Sequence, residues 1–109
     1  MKTSMDKRIM IGWTTVSSIE DANKLVRELL SLKIIACGQI NGPITSLYIW
    51  DANIVEESEW RIMLKFPKDL IEEVYNNIIR LHPYRIPQWV CCEVDAGNEF
   101  REWVLTTAS

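Results

Sequence analysis

The sequence predicts an α+β sandwich: two helices packed on one face of a four-stranded sheet in the order βαββαβ, with an added C-terminal helix. Three observations predict it. Large apolar residues alternate with period two in four segments. Between them, two stretches carry apolar residues at helical spacing. No repeat, linker or low-complexity tract divides the 109 residues, a single domain's length, so 1–109 is expected to share one core. Helices that all return to one face of such a sheet give a ferredoxin-like sandwich.

The elements follow in order. Residues 1–7 are charged, lack the apolar stretch of a signal peptide, and are expected to be a flexible lead-in. In "RIMIGWTT", from 8 to 15, Ile9, Ile11 and Trp13 alternate with Met10 and Gly12, a strand. "SIED" reads as a capping box, Ser18 at the N-cap and Asp21 three residues on, before Ala22, Val26, Leu29 and Leu30. That predicts a helix from about 18 to 32. An extended stretch over 34–50 is broken by "NGP" at 41–43, a bend or bulge. "DAN" at 51–53 turns the chain, and 54–66 runs back with Trp60, Ile62, Leu64 and Phe66 in alternation. Pro67 suits the first turn of a second helix, whose stripe of Leu70, Ile71, Val74, Ile78 and Leu81 runs to His82. A strand over about 88–95 and a short helix over about 98–106 complete the chain.

Composition excludes several classes. A net charge of −3 lacks the basic stripe of a nucleic-acid surface. No apolar run approaches the roughly 18 residues of a membrane span, so no membrane partner is expected. Cys91 and Cys92 are adjacent and poorly placed to bond each other; with Cys37 they read as reduced thiols of a cytoplasmic protein. No spacing of a structural zinc site appears. "TTVSS" after the first strand lacks the glycines of a phosphate cradle.

Few residues carry chemistry on their own. His82, the only histidine, precedes Pro83, where a helix must end, and a helix stop accounts for it fully. Cys37 has no basic neighbour in sequence to activate it and reads first as a small core residue. Asp51, Glu56, Glu57 and Glu59 read as a solvated acidic hairpin, and Lys65 as an outward, edge-protecting charge. No second catalytic element accompanies His82, so no enzyme is expected. The strands raise a different question. Leu47 and Ile49 oppose Tyr48 and Trp50, and Trp89 and Cys91 oppose Val90, Cys92 and Val94, so both faces are apolar. Uncovered aromatic residues imply a protein partner, by default another copy of the chain.

"IIACGQING" (34–42), "SLYIWDANIVEESEW" (46–60), "MLK" (63–65), "LHPYRIPQ" (81–88) and "GNEFREW" (97–103) together resemble the CutA family of divalent-cation tolerance proteins, over about residues 9–105. The resemblance implies a ferredoxin-like subunit in a tight homotrimer, similar in fold and assembly to the PII signalling proteins, with no established reaction and no required cofactor. It implies a role in tolerance of copper and other divalent metals, with Cys37 and His82 as candidate ligands of a weakly bound ion; thiolate and imidazole suit copper. Tyr48, Trp50, Glu59, Lys65, Pro83, Tyr84 and Pro87 match positions that line clefts between subunits. The alternative is a small-molecule sensor of PII type, reading a ligand in that cleft. The chain departs from the family's pattern where Ile49 replaces a tryptophan, Gln88 a glutamate, Thr14 a cysteine and Leu81 a histidine found in some members, and where Gly97-Asn98-Glu99 shortens a turn.

Overall fold

Alternating apolar residues at 9–16 and 53–67 force both stretches to bury one side, and they do so against each other. In the computed structural model, which describes residues 6–109, strand β1 (Ile9–Val16) pairs antiparallel with β3 (Asn53–Pro67), Ile9 opposite Pro67 and Val16 opposite Trp60. Strand β2 (Cys37–Trp50) pairs with the outer edge of β3, and β4 (Val90–Val94) with the outer edge of β1. The result is one antiparallel sheet in the order β2-β3-β1-β4. Residues 1–5 of the expected lead-in lie outside the described residues; at its end, Arg8 and Asp6 form an ion pair at 2.6 Å.

Helix α1 (Ile19–Ser31) begins where Ser18 accepts a hydrogen bond from the Asp21 amide at 3.0 Å, as the capping box required. Its apolar side, with Ala22, Leu25, Val26 and Leu29 buried, packs on the sheet. Val26 closes over Gly38, where a Cβ would lie 2.5 Å from its methyl group. Gly12 is needed for the same reason: a Cβ there would meet the Trp89 indole at 2.3 Å. Thus Gly12, Gly38 and Leu64, which share one face by register, lie under the helices. Phe66, Ile62 and Leu64 are fully buried there, each worth about 1.5–3 kcal/mol of transfer free energy.

Pro67 does not open the second helix. It pairs with Ile9 as the last residue of β3, and the Lys68 amide continues the ladder to the Arg8 carbonyl at 2.9 Å. A 3-10 turn (Lys68–Leu70) then leads into α2 (Ile71–Leu81), which buries Val74 and Ile78.

Helix α3 (Asn98–Thr107) covers part of the sheet's second face. Lys65 alternates with Leu64 and Phe66, so it points away from α1 and α2. Its ammonium lies 5.5 Å from the centroid of the Phe100 ring, which puts α3 against that second face. Val104 and Ala108 are buried in the same core, and the Ser109 amide bonds the Lys33 carbonyl at 3.0 Å.

The β2-β3 hairpin outruns the rest of the sheet. β1 faces only residues 60–67 of β3, so 44–59 project beyond it, and the molecule extends 47 Å along its longest axis. The expected bulge is present, with register shifting between Asn41 and Ile44 and a cis Gly42–Pro43 peptide. At the tip, Asp51 and Ala52 have φ of 50° and 63°, both in the left-handed region of a two-residue hairpin turn.

Candidate functional site

Helix α2 stops at His82 because Pro83 follows it. His82 takes extended φ and ψ of −71° and 136°, while its amide still donates to the Ile78 carbonyl. The helix stop therefore stands, but the side chain does more. The ring is buried, and two residues on, the Tyr84 amide donates to its Nδ1 at 3.0 Å. Nδ1 must then carry the lone pair, and the proton sits on Nε2. Nε2 lies 2.9 Å from the Thr15 carbonyl, which can only accept, and 3.0 Å from the Thr14 hydroxyl. One neutral tautomer fits this arrangement. Burial pushes the imidazole below its ordinary pKa, against a smaller upward pull from the Thr15 carbonyl.

Tyr84 continues the chain of contacts. Its ring lies against His82, centroids 4.9 Å apart, and its hydroxyl donates to Glu59 Oε2 at 2.7 Å. Burial, and then the bond to the Glu59 carboxylate, raise the Tyr84 hydroxyl well above its ordinary value. Glu59 is only 6% exposed, so it is not the solvated hairpin acid expected of it, whereas Asp51, Glu56 and Glu57 are exposed. Pro83 and Pro87 bracket the loop that presents Tyr84.

Register assigns the remaining candidates to faces. Trp50 stands opposite Asn53, Tyr48 opposite Val55, Ile44 opposite Glu59 and Cys37 opposite Lys65. Tyr48, Trp50, Glu59, Lys65 and Cys37 therefore share the face turned away from α1 and α2. Beside Glu59 on that face, Glu57 accepts a hydrogen bond from the Tyr48 hydroxyl at 2.6 Å, which lifts the tyrosine's pKa to about 12. Lys65 is partly buried beneath Phe100 and does not guard an edge.

Cys37 and His82 are not brought together. His82 reaches the side chain of Thr14, which shares the helix-covered face with Gly12 and Ile62, while Cys37 points to the other. Both imidazole nitrogens are already engaged, and a metal needs one free lone pair. Within one chain these two residues cannot grip the same ion. Nor is there a group of three or more His, Cys, Asp or Glu placed to hold one among the described residues. All three cysteines are free thiols, and burial raises the pKa of Cys91.

Sequence reasoning missed Thr14 and Thr15 as the partners of His82, and Gln88, whose Oε1 lies 3.5 Å from the Thr15 hydroxyl. The spacing in "HPY" lets the Tyr84 amide turn back on the ring, but nothing local to His82 points to Thr14, Thr15 or Gln88.

The sequence pattern of the CutA1 divalent ion tolerance protein family matches residues 10–107. A relative from Pyrococcus horikoshii, named divalent-cation tolerance protein CutA, is 35% identical over 98 residues, covering 89% of this chain and 95% of that protein. The solved structure of the divalent ion tolerance protein CutA1 from Ehrlichia chaffeensis superposes with a TM-score of 0.91 at 34% identity, over 97% of this chain and 99% of the other. A relative from Arabidopsis thaliana, 25% identical over 87% of this chain and 53% of its own length, is named as chloroplastic. No helix among the described residues is long and apolar enough to cross a membrane.

Proposed function

Because the chain belongs to the CutA1 divalent ion tolerance family, we propose that it serves tolerance of divalent metal ions, copper among them, as a non-enzymatic homotrimer of ferredoxin-like subunits. One observation carries the assembly. Leu47, Ile49 and Ile54 at the projecting hairpin are 65%, 73% and 80% exposed, and Trp50, Val90 and Ile86 are uncovered as well. A single subunit cannot keep such an area wet without aggregating. Both sheet edges, β2 and β4, are open, and an arm reaching past its own sheet suits a head-to-tail contact that closes into a ring.

Any bound metal is held weakly. A copper or other divalent ion would draw on groups that separate subunits bring together, Cys37 among them, rather than on a Cys37–His82 pair in one chain. The protein acts in the cytoplasm, where its free thiols stay reduced. Growth under copper, zinc and cobalt challenge tests the role, in a host whose own relative is deleted. Restored growth on expressing this chain supports tolerance; growth no better than with empty vector contradicts it.

A second reading, a cleft that senses a small molecule in the manner of the PII proteins, draws on the shared face of Tyr48, Trp50, Glu59 and Lys65, with Tyr84 reaching Glu59. Aromatic walls with a few fixed polar groups are what such a pocket needs.

A further inference from the structure

The face turned away from α1 and α2 carries a row of polar side chains that the tolerance role leaves unused. Asn41 of β2 stands opposite Arg61 of β3, and Arg61 opposite Thr15 of β1. Beyond Thr15, its hydroxyl meets the Oε1 of Gln88. Neighbouring strands lie about 4.8 Å apart, so the row spans about 14 Å, and the long Arg61 side chain stands between its two amides. The next row on the same face, Gln39, Met63, Trp13 and Val90, is apolar apart from Gln39 and walls it on one side.

Arg61 is exposed, and among the described residues its guanidinium has neither hydrogen bond nor ion pair. Arg8, Arg80 and Arg101 are engaged, with Asp6, with Asn77, and with Asn98 and the Ala96 carbonyl; Arg27 and Arg85 are as unbonded as Arg61 among the described residues, but Arg61 alone stands in this row. The nearest acid along the same face, Glu59, is shut from solvent and bonded to Tyr84, not to Arg61. Gln88 is exposed, and with its Oε1 taken by the Thr15 hydroxyl its amide hydrogens have no protein acceptor among the described residues. Asn41 is also exposed and can present its own amide hydrogens. A planar fork of donors flanked by two neutral amides, with no free carboxylate in the row, fits a negatively charged, oxygen-rich group.

We infer that Asn41, Arg61 and Gln88, the last oriented by the Thr15 hydroxyl that donates to its Oε1, form a binding site for a small oxyanion, a carboxylate or a phosphate, held in bidentate fashion by Arg61. Calorimetry on the metal-free full chain in low-salt buffer tests it, with inorganic phosphate and with malonate as probes. Saturable heat with either probe is expected, and the probe that binds tells phosphate from carboxylate chemistry. Arg61→Gln should weaken binding at least about tenfold, as for loss of a charge-assisted bidentate contact, with the assembly's mass unchanged. Gln88→Glu, which sets a carboxylate beside the site, should weaken it as well. Three results would overturn the site: no saturable binding of either anion, equal binding by Arg61→Gln, or a changed mass for Arg61→Gln, which would assign the guanidinium to a contact between subunits.

Discussion

His82 shows how one side chain can satisfy a local rule and a tertiary one together. Its backbone ends α2, while its ring fastens the following loop to β1 through the Tyr84 amide and the Thr15 carbonyl. Since burial lowers its pKa, the unfolded chain binds a proton more readily than the folded one. His82 stability is therefore fully present above the unfolded value of about 6.5 and is lost as pH falls through the lower folded value. Urea unfolding from pH 8 to pH 5 should show that decline, and His82→Gln should flatten it; an unchanged slope would remove histidine as its source. Tyr84→Phe strips the only protein hydrogen bond at Glu59 Oε2 among the described residues. That should cost about 1–3 kcal/mol in the same titration. Little of this was legible from residue types. Pro83 announced the helix end, but nothing local to His82 named Thr14 or Thr15, which lie 68 and 67 positions away.

At the scale of elements, periodicity and turn chemistry located every strand and helix to within a few residues. They did so because each signal is local: the Ser18 cap, the break at Gly42–Pro43 and the left-handed pair at the hairpin tip. Register was not legible, since it depends on partners distant in sequence, and register separates Cys37 from His82 by the thickness of the sheet. Pro67 was misplaced for the same reason. Its missing amide suits a helix start, but pairing with Ile9 kept it in the strand. Two substitutions probe these local devices. Ala52 holds a φ of 63° at the tip, so Ala52→Gly should stabilise the chain by about 1 kcal/mol, read as a higher melting temperature. Gly12→Ala drives a methyl into the Trp89 indole and should destabilise by about 1–3 kcal/mol. Trp89→Leu in the same chain should recover part of that loss.

The whole molecule is defined by what one copy leaves uncovered. The chain signalled this early, through apolar residues on both faces of 46–50 and 89–94, although it did not reveal that α3 would close part of the second face. What stays open is concentrated on the projecting hairpin and on the β4 edge with the loop before it. The proposed role in divalent ion tolerance is thus tied to the proposed assembly, which would share clefts and metal ligands between subunits. Trp50→Ala should weaken assembly by about 3–5 kcal/mol, the cost of truncating a large ring that association buries. The most direct test of the central claim is native mass spectrometry of the metal-free chain, diluted to low micromolar concentration. A single species of three 12.7 kDa subunits is expected, and a monodisperse monomer would contradict the account.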